Sequence, residues 1–377
     1  MVRKIAGVAL VLLVAAAARV SEAQIASATM QPLATFGTNG WLAPGSNAYV
    51  TTDSTQRGLA FNPLTSNVVL PSRAGGNNVA ILNGNTGAVS KTMDVTGIAG
   101  GTFPINGAGV GDDGAIYVGN LSTSTASNFK VYSWASEASA AAPTVAYDGL
   151  TGLTRTGDSF TACGSGASAQ FAAAGGTTTV NSNFYIGTVD GSNTGTAYTS
   201  VPGTTTASND YRLSIAYVDA DTIIGNQGGS ARLTSFAGTA TVDASIPLGG
   251  AAQRALDVVT VNSTPLLAVI DSNSSNVTIF DITNPATPVS LTSGNATTGT
   301  LTANANATGG LAWGNVIDNL DSTYTATLYA MNTNQGVQAF SVTMTAVPEP
   351  ASWSMVFAAA GLGLAGLRRT GSFGRRT

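Results

Sequence analysis

The chain has 377 residues, of which 9% are charged and 44% hydrophobic; the usual charged share is about 25%, so its polarity comes from hydroxyl and amide groups rather than from the high charge and low hydrophobicity of a disordered chain. Seven of its 15 Lys and Arg lie near the two ends, leaving 8 Lys/Arg against 17 Asp/Glu between Gln24 and Val347, a net of −9. A nucleic-acid binder needs many clustered basic side chains to displace counterions from phosphates, so nucleic acid is excluded as a partner.

At the N-terminus, Arg3 and Lys4 precede an apolar run over residues 5–18, followed by Ser21-Glu22-Ala23. This is the pattern of a signal peptide for signal peptidase, with cleavage between Ala23 and Gln24, and a run of 14 is short for a membrane span. Residues 1–23 are therefore expected to leave, and residues 24–346 to form the exported domain.

Within that domain, β-rich runs recur about every 50 residues, at 68–70, 115–118, 170–172, 222–224, 266–270 and 327–330. Partner runs follow 10 to 15 residues on, at 79–82, 131–134, 233–236, 277–280 and 337–340. Turn residues separate them: Asn83-Gly84-Asn85-Thr86-Gly87 and Asp113-Gly114 suit hairpins that need positive φ, and Pro285 and Pro288 mark a strand boundary. Sixteen of the 17 acids are Asp, the acid that bonds to its own backbone in turns, and no stretch keeps a 3.6-residue period. The predicted fold class is all-β: a β-propeller of six blades, with seven blades or β-sandwiches as alternatives, closed by a strand near residues 30–36. A signal helix and a short C-terminal transmembrane helix flank it. Residues 57–121, with Leu59-Ala60-Phe61-Asn62-Pro63 and Gly111-Asp112-Asp113-Gly114-Ala115-Ile116-Tyr117, also resemble a group of bacterial surface propellers of unassigned function, a likeness that implies no catalytic residues.

Candidate chemistry in the domain is sparse. There is no His, which removes histidine bases, histidine zinc ligands and the usual Ser or Cys triads. Cys163 has no intrachain disulfide partner and reads as a buried, inert thiol. Gly109-Val110-Gly111-Asp112-Asp113-Gly114 matches G-x-G-x-x-G, yet a strand follows it and its carboxylates repel phosphate, so it reads as a turn. Asp112 with Asp113, Asp219 with Asp221, and Asp271-Ser272-Asn273-Ser274-Ser275 offer oxygens to calcium, but none completes the twelve-residue loop pattern. Glu137, the domain's only Glu, falls in an Ala/Ser-rich loop and has no visible acid/base partner. Trp41, Trp134 and Trp313 read as core more readily than as sugar platforms. The N-x-Ser/Thr triplets at Asn120, Asn262, Asn273, Asn276, Asn295 and Asn306 are expected by chance in so Asn-, Ser- and Thr-rich a chain. No catalytic residue, metal or cofactor is expected.

The C-terminus carries the most specific signal. Val347, Pro348, Glu349 and Pro350 precede an apolar stretch over residues 351–367, then Arg368, Arg369, Arg375 and Arg376. Seventeen residues of helix cover about 26 Å, a marginal span. The terminal arginines hold the extreme C-terminus in the cytoplasm, so everything between the two ends is exported. The Pro-Glu-Pro motif, short span and Arg cluster together resemble the PEP-CTERM sorting signal. That resemblance implies processing by exosortase, a membrane-embedded cysteine transpeptidase of Gram-negative bacteria that make exopolysaccharide. It also implies transient inner-membrane anchoring, then a place on the cell surface or in the extracellular matrix. The expected function is a non-catalytic surface or exopolysaccharide-matrix protein. The alternatives are a propeller that binds a specific glycan or protein, and an extracellular polysaccharide hydrolase or lyase.

Overall fold

The computed structural model describes residues 24–175, 183–199 and 210–347. Ala23, Pro348, Glu349, Pro350 and Arg368 to Arg376 lie outside them, as do the two expected helices. The chain begins with β1 (Ile25–Pro32) and β2 (Trp41–Leu42). Blade 1 follows with β3 (Ala60–Asn62), β4 (Asn67–Ser72), β5 (Asn78–Asn83) and β6 (Val89–Thr92). Blade 2 has β7 (Phe103–Val110), β8 (Ile116–Leu121), β9 (Phe129–Trp134) and β10 (Thr144–Gly149). Blade 3 has β11 (Ser159–Cys163), β12 (Gln170–Ala174), β13 (Asn183–Thr188) and β14 (Gly195–Thr199). Blade 4 has β15 (Ser214–Asp219), β16 (Thr222–Gly228), β17 (Ser230–Ser235) and β18 (Thr241–Pro247). Blade 5 has β19 (Gln253–Val261), β20 (Thr264–Asp271), β21 (Val277–Asp281) and β22 (Val289–Gly294). Blade 6 takes β23 (Gly309–Trp313), β24 (Ile317–Asp318), β25 (Thr323–Asn332) and β26 (Gly336–Ala346), and β1 completes it.

Six antiparallel sheets therefore stand around one axis, and the described residues contain no α-helix. The ring closes where β1 pairs with β26, from Ile25 opposite Ala346 to Pro32 opposite Phe340. The innermost strands run in the same direction. A Cβ added to Gly107 comes 2.6 Å from the Phe160 Cβ, and one added to Gly109 comes 2.5 Å from the Ala162 nitrogen. These two positions admit only glycine because the Phe160 side chain and the Ala162 backbone of the neighbouring blade occupy the space where a side chain would go.

Each gap between blades holds its own apolar core. Ile105, Ile116 and Trp134 pack against Val69 and Ile81 between blades 1 and 2. Between blades 2 and 3, Phe129, Tyr147, Phe160, Phe171 and Tyr185 form an aromatic cluster, with centroids 5.1 Å apart for Tyr147 and Phe171. The two phenol oxygens there satisfy each other at 2.7 Å. Blades 5 and 6 meet through Leu266, Ile270, Leu328 and Phe340, with Met30 of β1 among them. Met30 thus fastens the closing strand by burial as well as by its ladder.

Asp side chains hold the turns. Asp94, Asp113, Asp190, Asp219, Asp271, Asp281, Asp318 and Asp321 each accept the backbone N–H two residues on, at 2.8–3.2 Å. Of the calcium candidates, Asp113, Asp219 and Asp271 each direct an oxygen to backbone in this way. G-x-G-x-x-G is the turn between β7 and β8, with Gly114 at φ 78°.

The recurring apolar runs are the second and third strands of each blade, and the first lines the axis. Two expectations need correction. The closing strand is β1, which ends at Pro32, because the chain turns at Leu33 to Phe36 and sinks the Phe36 ring completely. Glu137 is not idle in a loop: buried beside blade 1, its carboxylate accepts Asn62 Nδ2 at 2.8 Å, Thr65 Oγ1 at 2.6 Å and Asn67 Nδ2 at 2.8 Å.

Phe171 lies at the centre of the aromatic cluster and is fully buried. Phe171→Ala is expected to cost about 3–5 kcal/mol in urea unfolding, whereas Val289→Ala, on an exposed outer strand, costs under about 0.5 kcal/mol.

Candidate functional site in the central channel

The six innermost strands enclose a cavity of about 250 Å³ that runs along the axis. Small ligands fit such a volume; folded partners do not. Its two ends differ in chemistry because one receives residues that precede the innermost strands and the other receives residues that end them.

At the entering end stand Arg57, Arg73, Arg155 and Arg212. Arg155 and Arg212 converge on the buried carboxylate of Asp158. Arg155 holds it through Nε, and through Nη2 at 2.6 Å; the Arg212 Nε lies 3.2 Å away. Arg57 and Arg73 both lie over the Phe103 ring, with guanidinium carbons 4.9 and 4.0 Å from its centroid. Arg73 is also fixed by the carbonyls of Ser54 at 2.8 Å and Ile105 at 3.1 Å and by the Asn106 side chain at 3.2 Å. Burial pulls Arg73 down to about 10, and the neighbouring Arg57 charge adds to that. Burial likewise lowers Arg57, where attraction from Asp158 opposes repulsion from Arg155 and Arg212.

At the leaving end, Cys163 and Trp313 end β11 and β23, and Tyr217, two residues before the end of β15, and Asp257, midway along β19, line the same wall. Asp257 accepts the Trp313 backbone N–H at 2.8 Å, yet burial pushes its carboxyl up to about 6. It lines the channel and is half-buried there. Burial also pushes Cys163 up to about 11 and Tyr217 well above the usual phenol range. The Trp313 Nε1 is buried without a hydrogen-bond partner among the described residues, and the Tyr217 hydroxyl faces the Cys163 thiol.

Sequence reasoning placed Trp313 and Cys163 in the interior without linking them to one wall. It missed Asp257 and Tyr217, and it treated the arginines as too dispersed to matter. The fold corrects this last point: residues 57, 73, 155 and 212 share one mouth although they lie far apart in the chain. Trp134 is core, its Nε1 donating to the Asp94 carbonyl at 3.0 Å, and Trp41 donates to the Gln335 carbonyl at 2.9 Å. Asn120 is fully buried, so that triplet is closed to modification. Of the sorting and cleavage residues, Gln24 and Val347 are described, and the Val347 N–H donates to the Gln24 carbonyl at 2.7 Å.

No family model matches the chain, and no curated protein matches it. Among solved structures it is similar to a DUF4623 family protein from Bacteroides eggerthii, at 17% identity and a TM-score of 0.55, covering 87% of this chain and 77% of that one. A structure of the RRP9 WD40 repeats is 9% identical with a TM-score of 0.45, covering 81% of this chain and all of that one. The first likeness supports the propeller fold and nothing finer.

Two predictions follow from the leaving end. Asp257 titrates near 3.8 in the unfolded chain and near 6 in the fold. Below about pH 3 both states hold the proton; between about pH 4 and 6 the unfolded chain gives it up first, and above 6 the fold is left with a desolvated carboxylate and has lost up to about 3 kcal/mol. Asp257→Asn is expected to remove that loss, so urea unfolding at pH 7.5 should find the variant more stable than wild type and at about pH 3 should find no gain. With its thiol near 11, Cys163 is about one part in a thousand thiolate at pH 8. A disulfide reagent should label it slowly in the native protein and at once in denaturant.

Proposed function

We propose that this is an exported, non-catalytic propeller of the cell surface or exopolysaccharide matrix, sorted through its C-terminal tail by exosortase. The observation that carries the reading is a coincidence of boundaries. The ring begins at Ile25, one residue past Gln24, where the signal peptide is expected to be cut. It ends at Ala346, just before the Val347 that opens the sorting motif. The Gln24–Val347 hydrogen bond brings both ends of the ring to the outer edge of blade 6. Removing both terminal segments would therefore leave every described strand intact.

A durable ring also suits an extracellular post. Few Lys and Arg leave few sites for trypsin-like proteases, and a hydroxyl and amide surface bonds hydrated glycans with little dependence on salt. Pro348 and Pro350 fix φ and keep the motif extended, the shape a transpeptidase binds. A 17-residue span is adequate for transient anchoring and poor for permanent anchoring.

Intact-mass analysis tests this. The surface form is expected to start near Gln24 and to end near Glu349. Pro348→Ala with Glu349→Ala should leave export intact and trap the full-length form in the inner membrane. Surface protein that still carries residues 357–369 would overturn sorting in favour of a permanent anchor.

A further inference from the structure

Four of the domain's eight basic side chains meet at one mouth of the channel, in a domain whose net charge is −9. The arrangement comes from the repeat itself. Arg57, Arg155 and Arg212 stand two to four residues ahead of the innermost strands of blades 1, 3 and 4, and Arg73 directly follows β4. Two carboxylates answer the four charges: Asp158, shared by Arg155 and Arg212, and Asp53, which attracts Arg73. The mouth thus keeps an excess of two positive charges. Among the described residues no carboxylate lies within 4 Å of Arg57 or Arg73.

The donors are also unspent. Arg57 uses only its Nε, toward the Ser54 carbonyl at 3.4 Å, and Arg212 only its Nε, toward Asp158. The paired terminal nitrogens of both remain without a hydrogen-bond partner among the described residues. A guanidinium presents such pairs in a planar fork that matches two oxygens of an oxyanion. The forks are held in place beforehand, by the Phe103 ring on one side and by Asp158 on the other, so ordering them costs a ligand little. Arg57 and Asp158 themselves line the channel, so a bound group sits at its entrance with the small cavity behind it.

We propose that this mouth binds a small ligand bearing one oxyanion group, a carboxylate, sulfate or phosphate, clamped between Arg57 and Arg212. The site is independent of the sorting reading: it depends on the ring alone. Asp158 acts as the positioning residue that holds Arg155 and Arg212 in the wall.

The test is calorimetric titration of the full chain in mild detergent with sodium glucuronate, sulfate and phosphate, each in a chloride background of constant ionic strength so that screening is held fixed. At least one of the three is expected to bind saturably, and the one that does identifies the source of the oxyanion. Arg57→Gln should weaken that binding at least tenfold, and Arg57→Gln with Arg212→Gln should abolish it, with melting temperatures unchanged. Arg57→Gln orphans no carboxylate, and Asp158 keeps Arg155 in the double variant, so both are expected to fold. Arg57→Lys keeps the charge but not the fork and should recover only part of the affinity. Heats that never saturate with any of the three, or saturable binding that both Gln variants retain, would overturn the proposal.

Discussion

Strand β1 reaches its partner β26 across almost the whole length of the chain, and only the short β2, on the same partner, repeats that link among the described residues. Every other blade is made from neighbouring strands that short turns bring together. Closing a loop of this length costs about 5 kcal/mol in chain entropy on the logarithmic law. Strand β1 offsets it with seven paired positions and with Ile25, Ala28 and Met30 buried between blades 5 and 6, and β2 adds two more pairs. Once β1 is in place, the six innermost strands are fixed at one radius, and that radius sets the width of the channel. The glycines at 107 and 109 are a consequence: at this radius adjacent blades touch backbone to side chain. So the site at the axis depends on a strand at the rim.

The scarcity of charge follows from the same geometry. Most side chains in a ring of stacked sheets face another sheet or a turn, and a turn is served better by a short acid bonding its own backbone than by an ion pair in water. Salt bridges are accordingly few among the described residues, and the better buried ones, Arg155 and Arg212 with Asp158 and Arg232 with Asp210, lie where a charge has been drawn inward. Glu137 illustrates the alternative. Its two oxygens take three neutral donors from blade 1, and the Lys91 ammonium binds the Glu137 backbone carbonyl, so carboxylate and carbonyl together tie the blade 2 connection to blade 1.

What the sequence disclosed was decided by burial on both faces. Strands such as β4, β8 and β20 are covered on both sides and read as continuous apolar runs, for example Val68-Val69-Leu70 and Leu266-Leu267-Ala268-Val269-Ile270. These gave the six-fold count and the spacing. Two of the innermost strands, β7 and β23, could not be read that way. Close approach at the axis demands small residues, so Gly107-Ala108-Gly109 and Gly309-Gly310 carry no strand signal. The outermost strands, such as β6 and β22, are short and half exposed, and look like loops. The candidate site is built on the innermost strands, which is why it stayed hidden. One trace was present: Arg57, Arg155 and Arg212 fall at similar offsets ahead of the apolar runs of their blades, a regularity visible only once the repeat is aligned blade by blade.

The mouth also settles how an acidic domain can attract an anion. At physiological salt, charges are screened beyond about 8 Å, so a ligand near the axis does not feel the acids of the outer turns. What it feels is the local excess of Arg57, Arg73, Arg155 and Arg212 over Asp53 and Asp158, focused by a low-dielectric wall. The same screening means that the acidic periphery repels long polyanions, which must lie across many turns at once, more than it repels a single small group entering at the axis. A ring with a charge-poor body and a basic mouth therefore discriminates by the size and reach of the anion as well as by its sign. The leaving end adds a second filter, because Asp257 carries charge above about pH 6 and would then oppose any anion driven deeper than the arginines. The channel is thus polar in the electrostatic sense, and a group held at the arginine mouth goes no further along the axis.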